Sequence, residues 1–173
     1  MKYTIRFPFL RNNTSICEIK DETGGIIGYI QRYHANWTQR TINLIFDNFV
    51  NNVKVYDSDK QLVLHVVEVN NVKTLIVERW RILIGDQEHK MESKTKIKTN
   101  PQFLYTKNDE QVWIKKDFAD RIVRFSINNK KIAEAIPAGL MPPQSNLVTF
   151  DIFDSTLDIS EVAALYFILA LKN

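Results

Sequence analysis

Lysines dominate the side chains of this sequence that could do chemistry. Lys94-Thr95-Lys96-Ile97-Lys98 repeats an ammonium group at every second residue, with Lys90 close by. On an extended strand that spacing turns every lysine of the run to one face. Such a row could meet anionic headgroups at about 1 kcal/mol per charge near a negative membrane surface. The plainer reading is a solvated outer strand whose lysines discourage edge pairing. Lys115-Lys116 and Lys130-Lys131 could each lend one lysine, because adjacent residues on a strand point to opposite faces.

The other reactive residue types point away from catalysis. His34, His65 and His89 fall on separate segments, none at a metal-ligand spacing such as HExxH. His65, inside Leu62-Val63-Leu64-His65-Val66-Val67, reads as a partly buried, hydrogen-bonded histidine. Cys17 is the only cysteine; it excludes an intramolecular disulfide, suits a reducing cytoplasm and, with no cation beside it, reads as an inert thiol. Asp117 with Asp120, or Asp151 with Asp154, could be opposed carboxylates for hydrolysis, but flanking a turn and preceding a helix suit them better. GxGxxG, Walker-type and GxSxG motifs are absent. The expectation is no catalytic residue, no cofactor and no metal, with Lys90, Lys94, Lys96 and Lys98 as the contact for anionic lipid.

The elements that must position these residues are mostly strands. The chain has 173 residues, 45% hydrophobic and 25% charged, with a formal net charge of +3, which reads as one globular domain over 1–173 and permits a polyanionic partner without demanding one. The start, Met1-Lys2-Tyr3-Thr4-Ile5-Arg6-Phe7, alternates like a first strand and has no signal-peptide run. Beyond it, period-two runs rich in β-branched and aromatic residues cover Thr14 to Lys20, Ile26 to Arg32, Ile42 to Phe49, Val53 to Tyr56, Leu62 to Val69, Thr74 to Trp80, Gln111 to Lys115, Arg121 to Ile127 and Lys131 to Ile136. Weaker runs lie at Arg81 to Ile84, His89 to Lys98 and Leu147 to Phe153, for about ten to twelve strands in all. Turn residues separate them: Asp21 to Gly25, Asp57 to Lys60, Asn70-Asn71, Gly85-Asp86, Asn108-Asp109 and Asn128-Asn129. Ala138-Gly139-Leu140-Met141-Pro142-Pro143 reads as an apolar loop plugging the barrel end, or as an exposed wedge for a partner. Trp37, in a polar setting, is the tryptophan expected at the surface.

The C-terminus breaks the alternation. Val162 to Leu171 is apolar on every side, and Asp158, Glu161 and the Leu157–Val162 pair carry the signals of a capping box and a hydrophobic staple. A helix over about 159–171 is roughly 20 Å long, too short to span a bilayer. Apolar all round, it must be surrounded, and only sheet is available to surround it. The predicted fold is mainly β: a closed antiparallel β-barrel of about twelve strands wrapped around a buried C-terminal α-helix. A lumen filled in this way holds no ligand, so binding belongs on the outside or at the mouths.

Three segments carry a family resemblance. Asp21-Glu22-Thr23-Gly24-Gly25-Ile26-Ile27-Gly28-Tyr29-Ile30-Gln31-Arg32 is similar to an early hairpin of the tubby C-terminal-like superfamily, in the group of LURP-one-related proteins and phospholipid scramblases. Asn128 to Ala135 resembles that group's later turn and strand, and Leu147 to Phe153 with Asp158 and the apolar helix resembles its ending. The resemblance implies a twelve-stranded barrel around a central hydrophobic helix. It also implies kinship with membrane-lipid binders and scramblases, and with bacterial members that carry no assigned activity. The Pro-rich extension and cysteine cluster of the scramblases are missing here, as is the phosphoinositide signature of tubby proteins. The expected function is therefore a non-enzymatic cytoplasmic barrel that binds anionic phospholipid at the inner face of the membrane. The alternative is a structural or regulatory module that binds a protein partner, and neither nucleic acid nor a transmembrane segment is expected.

Overall fold

Runs of alternating β-branched and aromatic residues become strands because each can bury one face while wetting the other. In a computed structural model of the chain, residues 1–8, 13–35, 37, 41, 51–69, 77–96, 100–117, 120–139 and 146–172 are described. Their strands are β1 (Lys2–Arg6), β2 (Cys17–Asp21), β3 (Ile26–Tyr33), β4 (Asn52–Asp57), β5 (Leu62–Glu68) and β6 (Arg79–Ile84). They continue with β7 (Gln87–Ser93), β8 (Gln102–Lys107), β9 (Glu110–Lys116), β10 (Val123–Ile127), β11 (Lys130–Pro137) and β12 (Leu147–Ile152), before helix α1 (Ile159–Lys172). Each strand pairs antiparallel with its sequence neighbours, and β1 pairs with β12 from Lys2↔Asp151 to Arg6↔Leu147, closing the barrel. Closure leaves no unpaired edge.

This connectivity gives the barrel two unlike ends. Tight hairpins join β2–β3, β4–β5, β6–β7, β8–β9 and β10–β11 at one end, and longer connections leave the other. Two hairpins turn on Asn108-Asp109 (φ 48° and 65°) and Asn128-Asn129 (φ 49° and 64°), the paired left-handed residues that suit the twist of antiparallel strands. At Asp21 and Asp57 the carboxylate does the turning: Oδ1 of Asp21 accepts the N–H groups of Thr23 (2.8 Å) and Gly25 (2.9 Å), and that of Asp57 accepts those of Asp59 (2.9 Å) and Gln61 (2.8 Å).

Residues of β3, β4, β5 and β12 pack against α1, which is buried from Glu161 to Leu169 and again at Leu171. Burying such side chains contributes about 1.5–3 kcal/mol each. That drive outweighs any amphipathic preference, so the helix needs no polar face. The capping box forms as expected: the Glu161 N–H donates to Asp158 Oδ1 (2.9 Å), and the Asp158 N–H donates to Glu161 Oε2 (3.2 Å). The barrel wall completes the cap, with the Tyr105 hydroxyl (2.9 Å) and Lys107 Nζ (2.7 Å) donating to the same carboxylate. At the other end Lys172 Nζ lies 2.9 Å from both Glu68 and Glu78. Lysine there also complements the helix dipole.

Some strand expectations need correction. Ile42 to Phe49 and the first three residues of Thr74 to Trp80 lie outside the described residues, and Arg79-Trp80 joins Arg81 to Ile84 in one strand, β6. The run from Thr14 enters the sheet only at Cys17, because Asn13 Oδ1 takes the Ser15 N–H (2.7 Å) and holds a turn. Strand β8 was not expected, although its alternation buries Phe103 and Tyr105; Pro101 and the Asn108-Asp109 turn leave a run too short to stand out.

Candidate functional site

The outer face of β6, β7 and β8 gathers charge. Trp80, Ile82, His89, Met91, Phe103 and Tyr105 are buried, so alternation sends Arg79, Arg81, Glu88, Lys90, Glu92, Leu104 and Thr106 outward. Register sets Lys90 opposite Arg81 and Thr106, and Glu92 opposite Arg79 and Leu104. A hollow of about 750 Å3 runs along these strands, with Arg79, Arg81, Glu88, Lys90, Leu104 and Thr106 among its lining.

The expected single face of lysines stops at Ser93, where β7 ends. The physical reason is a side-chain detour: the Gln102 carbonyl still accepts the Lys94 N–H (2.7 Å), but the Gln102 N–H goes to the Thr95 hydroxyl (3.0 Å), which also donates to that carbonyl (3.2 Å), in place of a further backbone partner. Lys94 and Lys96 thus follow the strand at the long-connection end, and Lys98 lies outside the described residues. Lys94 pairs with Glu92, Arg79 lies 3.7 Å from Glu92, and Arg81 lies 3.6 Å from Glu88. Exposed pairs of this kind contribute only about 0–1 kcal/mol, so an external anion can replace their carboxylates at small cost. Lys90 and Lys96 are exposed and have no carboxylate partner among the described residues.

A second cluster continues the same outer surface onto β3, β4 and β5. The Tyr33 hydroxyl is hydrogen-bonded to His65 Nε2, and the rings lie 5.4 Å apart. Lys54, in register with His65, places Nζ 4.7 Å from the centre of the Tyr33 ring. Burial first, then the charges of Lys54 and Arg81, hold the His65 pKa below the ordinary imidazole value. Burial, with Tyr56, raises that of Tyr33, so its hydroxyl keeps its proton. Sequence reading found the hydrogen-bonded His65 but not its partners, because they belong to strands whose register no local pattern reveals.

The remaining candidates have structural surroundings. His89 faces the lumen edge-on to Tyr105 at 6.1 Å. Cys17 is buried, and desolvation pushes its thiol pKa up to about 11. Asp117 and Asp120 both meet Arg124, at 3.1 and 2.7 Å. Asp154 pairs with Lys130 (2.8 Å) and turns the chain towards α1 by accepting the Thr156 N–H (3.1 Å). Lys131 pairs with Glu134 at 2.8 Å, so neither lysine of that couple joins the patch, and Lys115 lies 4.5 Å from the centre of the Trp113 ring. Trp37 is 78% exposed, as expected, whereas Leu140 to Pro143 lie outside the described residues. Among the described residues no group of His, Cys, Asp and Glu could hold a metal ion, and no helix is long and apolar enough to cross a membrane.

Comparison with known proteins adds one match. The family model described as Tubby C-terminal like domain matches residues 3–173. No curated protein and no solved structure matches the chain.

Proposed function

Since this chain belongs to the family of Tubby C-terminal like domains, we propose that it is a non-enzymatic barrel that binds anionic phospholipid at a membrane surface. The observation that carries this reading is the two exposed lysines with no carboxylate partner among the described residues, Lys90 on β7 and Lys96 beyond its end, with Lys94 between them held only by an exposed pair to Glu92. Lys98 follows at the same spacing. Arg79 and Arg81 adjoin them across β6, held only by exposed, exchangeable pairs. At about 1 kcal/mol per basic residue near an anionic surface, four lysines amount to about 4 kcal/mol, enough for peripheral and salt-sensitive attachment. Trp37 supports the same orientation: it belongs to the β3–β4 connection, which leaves the barrel at the end that also bears Lys94 and Lys96. Exposed tryptophan favours the headgroup region.

Co-sedimentation with phosphatidylcholine vesicles, with and without phosphatidylglycerol, tests the proposal. Binding should require the anionic lipid, weaken steadily with salt, and fall by about tenfold or more when Lys94, Lys96 and Lys98 are changed together to Glu. Indifference to lipid charge, or equal binding by the triple variant, would overturn it.

A further inference from the structure

Charge left without a partner is sorted by barrel end. At the tips of four hairpins, from β2–β3 to β8–β9, Glu22, Asp59, Asp86, Asp109 and Glu110 are exposed and have no cation partner among the described residues. At the opposite end Arg6 closes β1, Lys96 follows β7, and Lys116 and Arg121 flank the β9–β10 connection. None of these four has a carboxylate partner among the described residues. We propose that a second copy of this chain is the partner these ends fit: copies associate head to tail, the hairpin end of one against the long-connection end of the next.

Local pairing produces the sorting. At the long-connection end Lys172 neutralises Glu68 and Glu78, Lys94 neutralises Glu92, and Arg124 neutralises Asp117 and Asp120. At the hairpin end Asp154 and Glu134 hold Lys130 and Lys131. Lys60 is the exception there, 5.9 Å from the centre of the Tyr29 ring and without a carboxylate. Apolar exposure is confined to the same two places. Among the described residues the exposed large hydrophobic side chains are Met1, Ile26, Leu62 and Phe153 at the hairpin end and Ile16 and Trp37 at the other.

Two unlike ends of this kind complement each other. Opposite charges set the orientation, like ends repel, and the apolar groups bury against one another. The formal net charge is only +3, so repulsion between whole molecules is small beside the attraction of the ends. The contact is heterologous and leaves one free end of each kind, so association continues past a pair into a ring or an open file. The basic end is also the one that the membrane reading turns towards lipid, so a bilayer and a second copy compete for it. Association in lipid-free buffer is independent of that reading.

Sedimentation velocity without lipid, at about 20 mM and about 300 mM salt, tests the contact. The weight-average sedimentation coefficient should rise with protein concentration at the lower salt and stay at the monomer value at the higher. A basic-end variant, Arg6→Glu with Lys116→Glu and Arg121→Glu, should associate about tenfold or more weakly, and so should a tip variant, Asp59→Lys with Asp86→Lys and Asp109→Lys. Each then has two ends of one sign. Mixed in equal amounts the two variants should associate again, because an acidic end meets a basic one. A monomer at every concentration, association indifferent to salt, or a mixture that fails to recover overturns the proposal. A monomer whose tips bind polylysine has a different cationic partner, which also overturns it. Should a variant not fold, the unmutated protein answers by carbodiimide coupling at the lower salt. Glu110 and Lys116 end the same strand, β9, about 20 Å apart within one copy, so an amide joining them forms only between copies. Recovery of that cross-linked peptide supports the contact, and its absence overturns it.

Discussion

A Cβ atom at position 28 would stand 2.6 Å from the backbone oxygen of Tyr56, on the strand that Gly28 pairs with. Backbone cannot retreat as a flexible side chain does, so Gly28→Ala should lower the unfolding free energy by about 2–3 kcal/mol, read from urea unfolding. An unchanged urea midpoint would refute that account of the Ile27-Gly28-Tyr29-Ile30 motif. At His65 the sign of the pH effect follows from its lowered pKa. The unfolded chain binds the proton more readily, so this contribution is present above the unfolded value of about 6.5 and is lost as pH falls through the folded value. Urea midpoints measured from about pH 7 to about pH 5 should fall less steeply in His65→Gln than in the parent chain; parallel curves would remove His65 from the linkage. Of these residues, Gly28 was visible in the sequence as part of a motif, but its reason for being glycine was not, because the clashing carbonyl belongs to another strand.

Helix α1 was the easiest element to read. Its caps, its end near Leu171 and its burial all follow from local spacing and all-round apolarity. The groups that hold it in the barrel are different: Tyr105, Lys107, Glu68 and Glu78 are far away in sequence, and each meets the helix only after closure. The two members of the capping box should therefore differ in cost. Asp158→Ala loses a cap and should cost about 1 kcal/mol. Glu161→Ala also leaves Tyr105 and Lys107 without their buried acceptor, and should cost about 3–5 kcal/mol in thermal unfolding. Equal losses would mean that the wall contributes nothing to the cap. Among the strands, β7 shows the limit of alternation: the lysine spacing continues through Lys98, but the Thr95 hydroxyl ends the ladder at Ser93.

At the scale of the whole molecule, closure depends on the seam between β1 and β12, the first and last of the described strands. Removing residues 1–7 should open that seam, exposing the edges of β2 and β12 and one side of α1. The expected outcome is a broad, weakly cooperative thermal transition with binding of a hydrophobic dye. A sharp transition at the parent temperature would show that the seam contributes little. The sequence by itself determined the class of this protein: period-two runs require sheet, and an apolar helix too short for a bilayer requires a wrapper, so a barrel around a helix is forced by hydrophobic burial alone. Only the tertiary structure decided which outward side chains meet. Register is set by turn geometry, by the bulges at Ile19/Lys20, Val55/Tyr56 and Phe125/Ser126, and by closure. A one-residue slip would turn a strand's side chains to the other face, so the grouping of Tyr33, Lys54, His65 and Arg81 exists only once every strand has found its partner.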